Sequence, residues 1–164
     1  MQPNYDVEMN LDVKVPMRDG INLSADIYLP KAHEKFPTVL MRTPYSNNTD
    51  AMIEKGFRLA NNGYVCMIQD CRGRWDSDGE YYPFHEGEDG YDTQAWIGAQ
   101  AWSNGKIGMA GGSYVGLVQW QSAPHRSEFL TCIVPRVICC DYFSGLVYPG
   151  GAFQLNVLMT WGMR

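Results

Sequence analysis

The sequence predicts an α/β fold: a mostly parallel sheet with helices on both faces, preceded by an antiparallel hairpin. Three observations carry that prediction. Short, continuously apolar runs of the buried parallel kind occur at 38–41, 64–68 and 130–135. Segments with helical spacing separate them, and alternation of this length implies right-handed crossovers. Ahead of them, residues 7–16 and 21–29 alternate apolar and polar side chains around Arg18-Asp19-Gly20, the pattern of a hairpin.

After the hairpin, 31–36 is a polar loop ended by Pro37, and the strand at 38–41 leaves through Thr43-Pro44-Tyr45-Ser46. A helix is predicted over 49–61, with Met52, Gly56, Leu59 and Ala60 on one face and Asn62-Gly63 as its stop signal. The strand at 64–68 empties into a loop, 70–88, rich in Arg, Asp, Gly and aromatic residues. The next helix covers 89–100, with Tyr91, Ala95 and Ala99 at helical spacing. Trp102-Ser103-Asn104-Gly105 then turns the chain into the short apolar run Ile107-Gly108-Met109-Ala110. From Asp141 onward the regular alternation stops.

Gly111-Gly112-Ser113-Tyr114-Val115-Gly116 follows that run and precedes a helix-compatible segment, 117–123. This is strand, tight turn and helix, with G-x-S-x-x-G at the turn. A serine on such a turn projects its hydroxyl clear of the sheet, and the flanking glycines keep strand and helix backbones from colliding. The amide after the serine, that of Tyr114, points at a developing oxyanion. Ser113 is therefore read as a nucleophile rather than as a structural Gly-Ser turn.

Composition excludes several classes. Lys and Arg total 13 against 18 Asp and Glu, with no basic run, which argues against nucleic-acid partners. No stretch approaches membrane-spanning length, and the N-terminus lacks a signal pattern. The five cysteines lack C-x-x-C spacing; Cys66 and Cys132 read as reduced core thiols and Cys139-Cys140 as buried filler, so the expected location is the cytoplasm. No metal and no cofactor are expected. The acidic loop at 70–80 lacks the spacing of a calcium loop, and no Lys-Ser/Thr follows Gly111-Gly112 to make a phosphate loop. Asp70 is expected to pair with Arg72 or Arg74. Trp75, Tyr81, Tyr82 and Phe84 either wall a substrate pocket or pack beneath whatever covers it.

The chain resembles the cocaine-esterase-like serine hydrolases, which include α-amino-acid ester hydrolases, β-lactam acylases and X-prolyl dipeptidyl peptidases. The matching stretches are Val15-Pro16-Met17-Arg18-Asp19-Gly20, Arg42-Thr43-Pro44-Tyr45, Gln69-Asp70-Cys71-Arg72-Gly73-Arg74 and Asp89-Gly90-Tyr91-Asp92-Thr93. Trp102-Ser103-Asn104-Gly105, the Ser113 turn and Tyr148-Pro149-Gly150-Gly151 follow in the family's order. The resemblance implies an α/β-hydrolase core over 1–140 and the beginning of a helical cap insertion over 141–164. It implies Ser113 as nucleophile, with the Tyr114 amide and the Tyr45 hydroxyl as oxyanion donors. Tyr45 also follows the carboxyl end of a parallel strand, where this architecture gathers ligand-contacting loops, and a phenol can donate to an oxyanion.

In this architecture the acid and the histidine follow the serine. After Ser113 come Glu128 and Asp141 but one histidine only, His125, at the far end of a helix about 15 Å long. His33 precedes a parallel strand, on the wrong edge of the sheet. His85 is on the correct side, though a loop-anchoring role suits it better than that of base. The resemblance places the catalytic Asp and His beyond residue 164. The leading function is hydrolysis of small esters or amides through an acyl-serine. The alternatives are an X-prolyl dipeptidyl peptidase and a non-catalytic binding protein of the same fold. The expected partner is a small ester or amide; a homo-oligomer is compatible with the sequence, which does not set the oligomeric state.

Overall fold

The computed structural model describes residues 5–162. One six-stranded sheet organises them: β1 (Val7–Pro16), β2 (Asn22–Pro30), β3 (Phe36–Thr43), β4 (Val65–Asp70), β5 (Ser103–Gly112) and β6 (Leu130–Arg136). Their spatial order is β1-β2-β4-β3-β5-β6. The predicted hairpin is β1 against β2, and β2 joins β4 antiparallel. The remaining pairs, β3 with β4, β3 with β5 and β5 with β6, are parallel.

Period-two alternation explains why both faces need covering. Tyr28, Met41, Cys66 and Ile68 point to one face and form a cluster with Ala60, Phe57 and Leu59 of α1 (Asp50–Asn61). Leu23, Ala25, Ile27, Leu40, Val65 and Met67 point to the other. There they meet Ile97 of α2 (Gly87–Gly98) and Leu117 and Val118 of α3 (Tyr114–Ser122). Each fully buried aliphatic side chain contributes about 1.5–3 kcal/mol. Gly56 lets α1 approach closely, since a Cβ there would touch the Tyr28 ring at 2.5 Å. Thr49 caps α1, its hydroxyl accepting from the Met52 amide.

Several expectations shift. The turn predicted at 102–105 is largely strand, because β5 extends to Ser103, which pairs with Phe36 of β3. Helix α2 starts two residues earlier than predicted and ends two earlier. Cys66 is buried, but Cys132 lies exposed on the outer strand β6, and Cys140 is exposed too, so neither is core filler. After β6 come a π-helical turn (Phe143–Val147), a 3-10 turn (Pro149–Gly151) and α4 (Leu155–Gly162).

Candidate active site

Of the parallel strands the chain reaches β3 first, steps to β4 on one side, and returns to β5 on the other. The carboxyl ends of β3 and β5 are thereby neighbours at the point where the strand order reverses, the place where open α/β sheets leave a crevice. Tyr45 follows β3 and Ser113 follows β5. Both line one cavity of about 730 Å³, together with Pro44, Arg74, Tyr81, Pro83 and Trp161.

Ser113 sits between β5 and α3 with φ 56° and ψ −130°, a backbone region that L side chains avoid. Its amide donates to the Arg136 carbonyl at 2.9 Å. Its carbonyl accepts from Gly116 and Leu117 at 2.8 and 3.0 Å, which fastens the turn to the helix. The glycines are steric necessities here. A Cβ on Gly111 would overlap Val115 Cγ1, and one on Gly116 would lie 2.7 Å from Ile138 Cγ2 and 3.2 Å from two carbonyl oxygens. The strain leaves the serine side chain exposed.

Tyr114 opens α3, so its N–H has no carbonyl one turn back to bond. Its ring is buried, and its hydroxyl donates to Glu86 Oε1 at 3.3 Å while accepting from the Phe84 amide at 2.9 Å. Burial, and then the Glu86 charge, push that phenol well above its usual range, so it stays neutral. The Tyr45 hydroxyl accepts from Trp161 Nε1 at 3.1 Å, which leaves its own proton available for donation. The Tyr45 ring meets Tyr114 edge-on, with centroids 6.5 Å apart.

A buried ionic cluster holds the loop that walls the cavity. Arg42 is fully buried: Nε donates to Gln69 Oε1 at 2.8 Å, Nη1 to the Glu86 carbonyl at 2.7 Å and Nη2 to Glu86 Oε2 at 3.1 Å. Arg72 binds Asp89 at 2.6 Å and Asp19 at 2.7 Å. Asp70 pairs with neither Arg72 nor Arg74, contrary to expectation. Arg72 is taken up by Asp89 and Asp19, and Arg74 Nε donates to the Pro44 carbonyl at 3.1 Å. Both Asp70 oxygens are buried without a hydrogen-bond partner, and burial raises the group to about 7. The Asp76 and Asn47 amides lower it somewhat without making bonds of ordinary geometry.

Of the four loop aromatics, Tyr81 and Phe84 wall the space on Ser113, Phe84 through an adjoining cavity of about 130 Å³. Trp75 and Tyr82 are exposed and do not line either. No histidine lines these two cavities among the described residues. His85 and His125 flank a separate recess beside Arg72 and Asp89, with His85 Nδ1 2.9 Å from the Pro83 carbonyl, and His33 lines a third recess that Trp102 and Glu8 share. Sequence reasoning missed Trp161, which stacks on Tyr114 at 5.8 Å and bonds Tyr45. It also missed Glu86 under the Tyr114 hydroxyl, and Arg74 in the cavity wall. A tryptophan in the aromatic, Gly-rich stretch after Asp141 was the available signal for the first.

The family described as X-Pro dipeptidyl-peptidase (S15 family) matches residues 19–164. Cocaine esterase from Rhodococcus sp. (strain MB1 Bresler) is 38% identical over an alignment of 164 positions that covers 96% of this chain and 28% of that protein. An α-amino acid ester hydrolase structure superposes with a TM-score of 0.78 at 30% identity, covering 95% of this chain and 30% of its own. An aminopeptidase from the marine sediment archaeon Thaumarchaeota archaeon gives a TM-score of 0.74 at 26% identity, covering 93% of this chain and 28% of its own. The chain thus spans between a quarter and a third of the length of these proteins.

Proposed function

The chain belongs to the X-Pro dipeptidyl-peptidase (S15) family, and on that premise we propose that it carries the nucleophile and oxyanion donors of a serine hydrolase acting on small esters or amides. The observation that supports this most is the strained, exposed Ser113 sharing a cavity with Tyr45. Ser113 Oγ attacks the carbonyl carbon as its proton passes to a general base. The Tyr45 O–H and the Tyr114 N–H hold the oxyanion. Collapse expels the alcohol or amine, which takes up that proton, and water then releases the acid from the acyl-serine. Neither cavity on Ser113 contains a histidine among the described residues, so we take the base and its orienting acid from elsewhere in the whole protein. Residues 141–164 we take as the beginning of a cap, a reading supported by Trp161, which lines both cavities on Ser113 and bonds Tyr45.

Ester cleavage is favoured over dipeptide release by the 38% identity to cocaine esterase. No described helix is long and apolar enough to cross a membrane. The test is turnover of p-nitrophenyl acetate and of an X-Pro p-nitroanilide by the whole protein and by Ser113→Ala. We expect the ester to be the better substrate, with a Ser113→Ala loss on the order of 10⁴–10⁶-fold. Ester turnover indifferent to Ser113→Ala would remove the nucleophile assignment.

A further inference from the structure

Among the described residues, Arg74 is the single charged one lining the larger cavity on Ser113. It is half-buried, and among the described residues it has no carboxylate within 4.0 Å, unlike Arg42 and Arg72. Its Nε is fixed on the Pro44 carbonyl, next to Tyr45, and Trp75 Nε1 donates to the same oxygen at 3.0 Å. Its guanidinium lies over the Tyr81 ring, 5.1 Å from the centroid. The side chain is thus clamped at its base and along one face. The four hydrogens on its two Nη atoms make no hydrogen bond to any described residue. A guanidinium held this way offers a planar, two-pronged donor that matches a carboxylate. The wall around it, Tyr45, Tyr81, Pro83 and Trp161, brings no competing negative charge.

We propose that Arg74 determines specificity for substrates carrying a carboxylate near the scissile carbonyl. This rests on the serine-hydrolase assignment of Ser113. The carboxylate's origin is open on chemical grounds, since it can belong to the acyl part or to the leaving group, and the two are separable by substrate. Mono-p-nitrophenyl glutarate against p-nitrophenyl pentanoate tests the acyl side. 4-Acetoxybenzoate against its methyl ester tests the leaving group.

The measurement is kcat/KM for each pair with the whole wild-type protein, Arg74→Gln, Arg74→Lys and Arg74→Glu. For one pair, the anionic-to-neutral ratio should fall about 10- to 100-fold in Arg74→Gln, the range for a hydrogen bond to a charged group. Lysine should restore part of it, and glutamate should push the ratio below that of glutamine. Salt should erode the wild-type ratio. An unchanged ratio for both pairs in Arg74→Gln, with Ser113-dependent turnover intact, overturns the proposal and leaves the hydrolase assignment standing. Calorimetric binding of monoethyl glutarate to Ser113→Ala, with and without Arg74→Gln, covers the opposite case. Binding that depends on Arg74, where the wild type itself shows no Ser113-dependent turnover of any of these esters, keeps the anion site and overturns the hydrolase. Binding that ignores Arg74 overturns the anion site.

Discussion

At Tyr45 the hydroxyl accepts one hydrogen bond from Trp161 and keeps its proton for another group. Tyr45→Phe removes that donor and leaves the ring and its edge contact with Tyr114 in place. If the hydroxyl stabilises the oxyanion, kcat should fall roughly 10²–10³-fold with little change in melting temperature, because the bond strengthens as charge develops. A phenylalanine variant within about threefold of wild-type kcat would take Tyr45 out of the site. Asp70 makes a different claim. Its unfolded value is near 3.9 and its folded value about 7. Between these limits the folded protein keeps a proton that the unfolded chain has lost, so stability falls as pH rises from about 4 to about 7 and stays lower above it. The full penalty is at most about 4 kcal/mol. Asp70→Asn should melt close to wild type at pH 4 and above it at pH 8. A difference constant across that range would contradict the burial account.

The unit of β5, turn and α3 shows what sequence can and cannot convey about an element. Glycines at 111 and 116 announced a close approach, and the structure supplies the atoms that require it. Gly116→Ala presses a methyl against Ile138 and two carbonyl oxygens and should cost about 1–3 kcal/mol, read as a lower melting temperature. Wild-type stability in that variant would mean β6 and α3 can separate more freely than their packing implies. The boundaries of β5 were less legible. Ser103 to Gly105 carries turn residues, and only pairing with β3, at Phe36 opposite Ser103, makes it strand. Helix α1 was legible to its cap because Thr49 and Asn62-Gly63 mark both ends locally.

For the whole molecule, period and composition identified which runs are parallel strands but not which strands are neighbours. Nothing local to Thr38 or Ile107 says that β3 lies between β4 and β5, yet that adjacency brings Tyr45 to Ser113. The loop after β4 was legible as charged and aromatic. Its partners were not, because Arg42 reaches Glu86 across 44 positions of sequence and Arg72 reaches Asp19 across 53. Such pairings leave no periodic trace. The same distance hides Trp161, which meets Tyr45 across 116 positions.

The backbone at Ser113 sets thermal robustness against activity. Its dihedrals belong to glycine's territory, and holding a side chain there costs about 1–3 kcal/mol. Glycine would relax the turn, less the roughly 0.5–1 kcal/mol of freedom it adds to the unfolded chain. Ser113→Gly should therefore melt at or above the temperature of the active protein, while Ser113→Ala, which keeps a Cβ, should not. A Ser113→Gly protein melting clearly below wild type would show that the turn holds no such reserve. If the reserve is there, a screen for heat resistance alone would enrich for inactive clones.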